Sequence, residues 1–396
     1  MRILYLDGVG MFGGACRSLY ENLKFISKEK VNIFFIIQNG GIRKYYDKFS
    51  KNIITSIGLT RFDNTEYSYY RGLRWLVLLR EIFYIPFTIF AMIRAKISWG
   101  KIDIIHVNEI TEIFSLFIAK IFFRKSKVII HCRSIYRQNK NSLRNRIISY
   151  IINKHVDILI AIDNNVKESL PKFSRTFVIN NSFYMTDDFD YSYYKKSNIL
   201  NIGYMGSISE MKGIYDLLEA LKIVKEKGKK FHLTVAGGQI HSNKFYLTSI
   251  LKMLNIQKGD TKEVNDIIID YDLINEITFL GHVNNVAKFY KSIDILCFPS
   301  RLNAPGRPII EASFYKKPSI ACISKAYDDT FINNMTGIAV SPAEPKELAD
   351  AIIFSIDNKE KLIKMGENAH EIYQQNNDPK LNSKKIYNLY KKLISN

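Results

Sequence analysis

Short apolar runs recur along this 396-residue chain, and stretches with a helical period separate them. Continuous apolar runs of this length are typical of parallel strands that are buried on both faces. The runs form two sets, at 2–6, 31–37, 103–107, 127–131 and 157–162, and then at 199–205, 231–236, 277–280, 293–298, 318–323 and 337–340. Alternating strand and helix units predict an α/β protein with two doubly wound, Rossmann-like parallel sheets.

The length of the chain also favours two domains, because single cores rarely grow beyond about 250–300 residues. A polar, unpatterned stretch at 185–198 separates the two sets of runs. We therefore predict domains at 1–190 and 191–378. The last segment, 379–396, is rich in Lys, Leu and Tyr, and we expect it to form a helix that packs back toward the first domain.

The charge of the chain is strongly positive, at +19, and the first 190 residues carry most of it, with 29 Lys and Arg against 16 Asp and Glu. Anionic membranes, phosphorylated substrates and nucleic acids could all exploit such a surface. No nucleic-acid-binding signature accompanies the charge, so no nucleic-acid partner is predicted. A generally Lys-rich composition is the alternative explanation.

An aromatic and apolar segment at 71–97 raises the question of a membrane. Its longest unbroken apolar run, 82–93, is short for a membrane span, and Arg80 and Glu81 interrupt the stretch before it. Cations flank the aromatic residues, as in helices that lie on anionic lipid. We predict a partly buried helix that contacts a membrane surface, and a core helix or a true span are the alternatives. The flanking cations are Arg71, Arg74, Arg80, Arg94 and Lys96.

The strand predicted at 293–298 leads into a loop with Gly306 and then into a helical pattern. Pro308 suits the first helical position. A helix that begins after a strand directs its free N–H groups and positive dipole end toward an anion. Glu311 follows in the predicted first turn, where its carboxylate could accept two hydroxyl hydrogen bonds, as from a ribose diol. The segment predicts a site for a nucleotide diphosphate.

Two glycine-bearing turns follow other predicted strands. Gly13 and Gly14 would let the backbone approach a ligand closely, although their spacing is not that of a dinucleotide fingerprint. Lys212 lies in the turn after 199–205, where its ammonium could offset the charge of a departing diphosphate. An ordinary strand–helix turn and a solvated lysine are the alternatives.

Two histidines close neighbouring predicted strands. His106 and His131 both stand at carboxyl ends, where open α/β sheets bind ligands, and Arg133 follows closely. Structural histidines are the alternative. Gly281 ends a further strand and could let the backbone face a planar base. Neither the histidines nor the four cysteines have metal-ligand spacing, so no metal site is predicted.

Together these motifs resemble the family-4 retaining glycosyltransferases of the GT-B fold. That family carries a Gly-Gly turn after the first strand, a Gly-Arg…Lys-Gly loop, and a Glu–seven residues–Glu motif after a strand that ends in Pro-Ser. The similarity covers nearly the whole chain and is most specific from 199 to 352. The matching residues are Gly13, Gly14, Gly206, Lys212, Gly213 and Glu311. The resemblance implies two domains that face each other across a cleft, the second binding a nucleotide sugar.

Two positions depart from the family pattern. Asn303 stands where the first Glu of the motif belongs, and Ser207 replaces the usual Arg. An amide at 303 can still hydrogen-bond a sugar hydroxyl. We expect Arg301 or Arg307, in the loop after 293–298, to supply the positive charge that Ser207 lacks.

The resemblance implies a metal-independent, cofactor-free transfer with retention, in which a UDP or GDP sugar is the substrate. Glu311 would hold the ribose, Lys212 would stabilise the leaving diphosphate, and His131 would orient the sugar or the acceptor. The expected donor contacts are Gly13, Gly14, Ser207, Gly281, Asn303, Gly306, Arg307 and Glu311, and the expected acceptor contacts are His106 and Arg133.

The acceptor suggested by the basic first domain is a lipid-linked glycan at the inner face of a bacterial plasma membrane. We expect a cytoplasmic, peripherally attached enzyme of O-antigen, capsule or lipooligosaccharide synthesis. The departures at 303 and 207 also allow a catalytically inactive nucleotide-binding scaffold, and a nucleotide-sugar epimerase is a further alternative.

Overall fold

The structure is a computed structural model, and it describes residues 1–64, 70, 72–136, 142–185, 199–237, 261–283 and 285–395. It divides into two compact units, Met1–Ser182 with Asp378–Asn396, and Phe183–Asn377. The domain boundary predicted at 190 and 191 lies outside the described residues and stays a prediction.

The first unit contains a seven-stranded parallel sheet in the order β3-β2-β1-β4-β5-β6-β7. The five runs predicted in this unit are all strands of the sheet. The edge strands β3 and β7 were not predicted. The strands are β1 (Arg2–Asp7), β2 (Asn32–Gln38), β3 (Ile53–Ser56), β4 (Ile104–Val107), β5 (Lys127–Cys132), β6 (Ile158–Ala161) and β7 (Thr176–Val178).

Helices cover both faces of this sheet, which is why its strands read as continuous apolar runs. Helices Trp75–Trp99, Ile113–Phe122, Leu143–His155 and Asn164–Ser169 contribute to one buried cluster. Helices Gly14–Ile26, Arg43–Tyr46 and Pro379–Ser395 contribute to the cluster on the other face. The final helix lies against Gly14–Ile26, where the Ser383 hydroxyl donates a hydrogen bond to the Asn22 carbonyl at 3.0 Å.

The second unit contains a six-stranded parallel sheet in the order β10-β9-β8-β11-β12-β13, and its six strands are those predicted. The strands are β8 (Leu200–Met205), β9 (Phe231–Ala236), β10 (Ile277–Gly281), β11 (Ile295–Phe298), β12 (Ser319–Cys322) and β13 (Gly337–Val340). The helices are Ile214–Glu226, Thr261–Asp270, Val286–Ser292, Arg307–Phe314, Pro345–Asp357 and Lys359–Asn376. The prediction of two doubly wound parallel sheets is confirmed.

The helix Trp75–Trp99 is fixed to the first unit along one narrow stripe. Glu81, 3% exposed, accepts a hydrogen bond from the Arg61 backbone N–H at 2.9 Å. Thr88 accepts from the Thr60 N–H at 2.9 Å. Ala91, Met92 and Ala95 continue the buried stripe. The helix therefore lies along the domain surface from Glu81 to Ala95.

The opposite face of this helix is apolar and exposed. Gly72–Trp99 is the one stretch among the described residues that is long and apolar enough to cross a membrane, and only 22% of its most apolar window is buried. A core helix would be mostly buried, so that alternative does not fit. The exposed large side chains include Trp75, Leu76, Leu79, Ile82, Phe83, Ile89, Phe90, Ile93 and Ile97.

Two of the cations predicted to flank this helix are engaged in ion pairs. Arg74 pairs with Asp63, and both side chains are largely buried. Arg80 pairs with the neighbouring Glu81 at 2.6 Å. Arg71 lies outside the described residues. Arg94 and Lys96, near the end of the helix, are exposed.

Candidate functional site

The second sheet changes direction between β8 and β11, because β9 and β10 lie to one side of β8 and the later strands to the other. Ligands of open α/β sheets bind at such a switch point, beyond the carboxyl ends of the strands. The loop after β8 contains Lys212, and the loop after β11 leads to the helix Arg307–Phe314. The structure thus brings these two sequence-predicted segments together within one unit.

The turn at Lys212 is held against the end of β11 by a glycine. Gly213 has φ +73°, in the left-handed region, and a Cβ there would lie 1.8 Å from the Pro299 carbonyl oxygen. The Arg301 N–H also donates to the Met211 carbonyl at 3.1 Å. Only glycine allows this contact, so Gly213 fixes where the backbone presents Lys212.

Glycines also bring together the carboxyl ends of β8, β9 and β10. Gly237 has φ +123°, and a Cβ on it would lie 2.0 Å from the Gly206 carbonyl oxygen. The Gly237 N–H donates to the Gly281 carbonyl at 2.7 Å. A Cβ on Gly281 would meet no heavy atom of the described residues within 4 Å, so this predicted donor contact borders space that those residues leave open. Gly237 was missed in the sequence, where the small residues at the end of the predicted strand 231–236 were the available signal.

Glu311 lies at the centre of a buried network behind the loop after β11. It is 2% exposed. Its Oε1 accepts from Arg307 Nε at 2.7 Å, and its Oε2 accepts from the Tyr290 hydroxyl at 3.0 Å. Burial, and then the charge of Glu311, raise the pKa of Tyr290 well above its usual value. Each carboxylate oxygen has a second acceptor position, so Glu311 can still bind a ligand hydroxyl.

The helix begins one residue earlier than the sequence suggested. Arg307 is its first residue, so Pro308 is the second and Glu311 lies one turn beyond Arg307. Gly306 caps the helix in an extended conformation, and a Cβ there would lie 2.3 Å from the ring of Phe298. The loop therefore packs tightly over β11 before the helix starts.

Arg301 does not stand beside the phosphate position as an available cation. Its Nε and Nη2 donate to both carboxylate oxygens of Asp216, at 2.8 and 2.7 Å, and its Nη1 donates to Glu210 at 2.9 Å. These bonds tie the loop after β11 to the helix Ile214–Glu226. Of the two arginines considered for the role of the missing one at 207, Arg301 serves the fold, and Arg307 stays the prediction.

The two departures from the family pattern occupy exposed loop positions. Ser207 is exposed, and its carbonyl accepts from the Tyr204 hydroxyl at 2.8 Å. Asn303 has φ +51°, a left-handed conformation that asparagine tolerates better than most residues. Its Oδ1 accepts from the Ser324 N–H at 2.7 Å. The backbone thus gives a physical reason for Asn at 303.

The first sheet has its own switch point, between β1 and β4. Gly13 and Gly14 lie in the loop after β1, at the start of the helix Gly14–Ile26. Within the described parts of the chain, a Cβ on either glycine would meet no heavy atom closer than 4 Å. The space beside both glycines is open, as a ligand-facing turn requires.

Two buried carboxyl groups beside this loop were missed in the sequence. Asp7 accepts from the Tyr46 hydroxyl at 2.6 Å and from Asn108 Nδ2 at 2.9 Å. Glu112 Oε1 accepts from the Gly8 N–H at 2.6 Å, and its Oε2 is buried with no hydrogen-bond partner in the described parts of the chain. Burial, and then the charge of Asp7, raise the pKa of Glu112 to about 8. Burial beside Asp7 therefore favours the protonated form of Glu112.

Arg133 and His131 form a bonded pair at the end of β5. Arg133 Nη2 lies 3.3 Å from His131 Nδ1, and Arg133 also donates to Asn108 at 2.7 Å and to Asn181 at 2.9 Å. A guanidinium only donates, so Nδ1 of His131 accepts and its Nε2 carries the proton. That Nε2 is buried without a partner among the described residues. Burial and the charge of Arg133 hold the pKa of His131 well below its usual value.

His106 is more enclosed than the acceptor role predicted for it suggests. It is 1% exposed, and its Nδ1 lies 2.6 Å from the Tyr390 hydroxyl, which is in turn 3.0 Å from the Tyr5 hydroxyl. Burial, with a contribution from the charge of Arg133, lowers the pKa of His106 to about 3. In this structure His106 joins the final helix to the sheet, and an acceptor contact stays a prediction.

The chain is similar to known proteins in sequence and in fold. Residues 187–372 match the protein family described as Glycosyl transferases group 1. A 170-residue segment is 26% identical to CapM of Staphylococcus aureus, a capsular polysaccharide biosynthesis glycosyltransferase. That match covers 43% of this chain and spans 40% of the length of CapM.

Solved structures resemble the chain over nearly its whole length. HepE of Anabaena, crystallised with UDP and glucose, has a TM-score of 0.71 at 21% identity, over 98% of this chain and 99% of HepE. TarM of S. aureus, crystallised with UDP among its ligands, has a TM-score of 0.69 at 12% identity, over 98% of this chain and 100% of that one. With the two parallel sheets, these likenesses identify the fold as GT-B.

Proposed function

We propose that the chain transfers a sugar from a nucleotide sugar to a glycan acceptor, with retention of the anomeric configuration, since residues 187–372 match the family of Glycosyl transferases group 1. The observation that carries this proposal is the switch point of the second sheet. There the Lys212 turn is pressed against Pro299, at the start of the loop that leads to the helix Arg307–Phe314. A cation and a helix N-terminus are the features that stabilise a diphosphate.

The donor is proposed to be a uridine nucleotide sugar, with a GDP sugar as the alternative. HepE, which shares the fold, was crystallised with UDP-glucose. In this chain the ribose is assigned to Glu311, whose two oxygens each keep one acceptor position. The open space beside Gly281 suits a base that stacks on the backbone.

Charge develops on the diphosphate as the sugar bond breaks, so groups fixed near it lower the barrier most. Lys212 and the N–H groups that follow Gly306 are assigned this role, with Arg307 as a further cation. The departing diphosphate would itself accept the acceptor proton on the same face of the sugar. Such a transfer uses no protein nucleophile and no metal. The residues assigned above are therefore sufficient for the proposed reaction.

The acceptor side is assigned to the first unit. The protonated Nε2 of His131 and the buried Oε2 of Glu112 have no hydrogen-bond partner in the described ranges. Buried polar atoms usually have hydrogen-bond partners. A hydroxyl-bearing ligand beside these two atoms would supply them. His131 would donate to the transferred sugar or the acceptor, and Arg133 holds it in the required tautomer.

The donor role of Glu311 predicts a large loss of donor affinity, in addition to the loss of stability that follows from breaking its ion pair with Arg307. Glu311→Gln keeps the size of the side chain but removes its charge. Losing charged hydrogen bonds to a ribose costs about 1.5–3 kcal/mol, so the Kd for UDP measured by calorimetry should rise about ten- to hundredfold. Tyr290→Phe is the matched control, because it removes a hydrogen bond from the same carboxylate and leaves the charge. An unchanged Kd in Glu311→Gln would remove the ribose role.

The acceptor is proposed to be a lipid-linked glycan of bacterial surface-polysaccharide synthesis, and the protein to attach peripherally to the inner face of the plasma membrane. The exposed apolar face of Trp75–Trp99 supports attachment, because soluble surfaces rarely leave such a stripe uncovered. The buried stripe from Glu81 to Ala95 keeps the helix along the domain. The helix would therefore lie in the membrane interface rather than cross it.

Removing apolar side chains from this face should detach the protein from membranes. Phe83 and Phe90 are 59% and 61% exposed. Burying a large apolar side chain contributes about 1.5–3 kcal/mol, so Phe83→Ser with Phe90→Ser should weaken vesicle binding about a hundredfold or more in flotation assays. The control is Ile269→Ser with Ile274→Ser, which changes two side chains of similar exposure in the second unit. Equal loss in both variants would show that the helix face is no docking surface.

A second candidate function is a catalytically inactive scaffold that binds the nucleotide. Ser207 and Asn303 favour it, because each replaces a charged residue of the family pattern. Tight nucleotide binding without diphosphate release on any acceptor would support the scaffold. We place the transferase first, because Lys212 and Glu311 are both retained at the switch point.

A further inference from the structure

A groove opens at the amino ends of β5 and β6 in the first unit, at the opposite end of these strands from the carboxyl ends where the switch point of the first sheet lies. It lies between the ends of helices Ile113–Phe122 and Leu143–His155 and has a volume of about 700 Å³. Its lining includes Lys127, the first residue of β5, and Asp157, the residue just before β6. The donor and acceptor assignments above leave this groove unused.

The lining of the groove is strongly basic. Among the described residues that line it, Asp157 is the one carboxylate, and the Oδ2 of that side chain accepts from the Val128 N–H at 2.8 Å. None of the groove cations lies within ion-pair distance of a carboxylate in the described parts of the chain. The cations are Lys120, Arg124, Lys125, Lys127, Lys154 and Arg175.

The positive charge of the groove lowers the pKa of a histidine that lines it. Burial lowers the pKa of His155, and the charges of Lys154 and Lys120 lower it further. Lys120 is held in place by hydrogen bonds to the Arg124 and Ser126 carbonyls, both at 2.8 Å. Lys120 is thus a fixed cation of the groove, whereas several of the other lining cations are exposed to solvent.

Apolar side chains of the groove belong to a helix that packs against Trp75–Trp99. Phe117 and Ile121 line the groove and are 43% and 53% exposed. Their helix packs directly against Trp75–Trp99. From that helix, Lys96 reaches over the ring of Phe123 at 5.5 Å, next to Arg124. A cationic groove therefore borders an apolar surface, the complement of a phosphate headgroup and its acyl chains.

We propose that this groove binds the phosphate headgroup of an anionic phospholipid, while Phe117, Ile121 and the apolar face of Trp75–Trp99 contact the acyl region. The inference rests on the membrane attachment proposed above, and not on the transfer reaction. It gives that attachment a lipid preference, since the apolar face alone would bind neutral and anionic bilayers alike. Phosphate oxygens would accept charge-assisted hydrogen bonds from several cations at once.

The test compares vesicles of phosphatidylglycerol with vesicles of phosphatidylcholine. The variant Lys125→Gln, Lys127→Gln, Lys154→Gln leaves the fixed Lys120 and the apolar side chains in place. Each lysine near an anionic surface contributes a factor of about five in affinity, so binding to phosphatidylglycerol should fall about a hundredfold. Binding to phosphatidylcholine should not change. The control variant Lys346→Gln, Lys361→Gln, Lys364→Gln loses the same charge from the second unit and should bind as the native protein does.

The outcomes separate this proposal from the ones it follows. Unchanged binding of the groove variant to phosphatidylglycerol, or an equal loss in the control, would overturn the proposal and leave attachment through the helix intact. Native protein that binds neither vesicle would overturn attachment itself, whereas donor binding measured by calorimetry is independent of both. Inorganic pyrophosphate that binds the groove, and is not displaced by phosphatidylglycerol vesicles, would show a site for a free polyphosphate and would also overturn the lipid assignment.

Discussion

Replacing Lys212 with alanine is expected to lower kcat about a hundred- to thousandfold while the donor KM changes little. The turn that carries Lys212 is fixed by Gly213 against Pro299, so the position of its backbone does not depend on the ligand. The ammonium is needed most when the sugar bond breaks and charge accumulates on the diphosphate. An interaction made mainly in the transition state changes kcat rather than KM.

Steady-state kinetics with the donor varied at saturating acceptor would measure this effect. Lys225→Ala is the matched control, because Lys225 pairs with Asp272 and Glu276 at the far end of the helix that follows the turn. A rise in KM alone for Lys212→Ala would mean that Lys212 binds ground state and transition state equally. The leaving-group role would then be wrong.

Arg307→Gln is expected to damage both stability and turnover. Arg307 donates to the buried Glu311 at 2.7 Å, and removing one partner of a buried pair costs about 3–5 kcal/mol. If Arg307 has only a structural role, Arg307→Gln should lower turnover only through this loss of stability. An Arg307 that also faces the diphosphate would lose turnover even where the fold is preserved.

Two second-site changes separate these effects. Arg307→Gln with Glu311→Gln removes the unpaired charge, so thermal unfolding should show stability recovered. Ser207→Arg, added to Arg307→Gln, places an arginine where the family pattern has one and should recover part of the turnover. Near-native kcat in Arg307→Gln would end the idea that Arg307 compensates for Ser207.

The sequence was sufficient for most of the fold, because buried parallel strands are continuous apolar runs. β3 and β7 escaped prediction, since they have only four and three residues and form at the two edges of the first sheet. Such short edge strands are defined by pairing with β2 and β6 more than by their own composition. A helix was predicted for the segment 71–97, but only the hydrogen bonds of Glu81 and Thr88 to the first unit showed which face of it stays exposed.

The candidate site was predictable where backbone geometry demands a residue type. Gly213 and Gly306 are required by close contacts with Pro299 and Phe298, so the pattern around them carries through to the structure. Partnerships between distant side chains were not predictable. Arg301 looked like a phosphate ligand until the structure paired it with Asp216, which lies 85 positions away in sequence.

The buried acids of the first unit show the same limit. Glu109 and Glu112 follow directly after β4, and burial raises their pKa values to about 7 and about 8. They were not singled out from the sequence, because nothing local shows that Asp7 and Arg133 lie beside them. Acidic residues at the carboxyl end of a strand next to a switch point were the one available signal.

The central claim is sugar transfer from a nucleotide sugar, and a single measurement tests it most directly. The protein is incubated with UDP or GDP sugars and lipid-linked glycan extracted from bacteria that lack it, and mass spectrometry follows both products. We expect the glycan to gain the mass of one sugar residue, with one nucleoside diphosphate released for each transfer. An isomerised donor without acceptor, or bound nucleotide with no diphosphate released, would contradict the account.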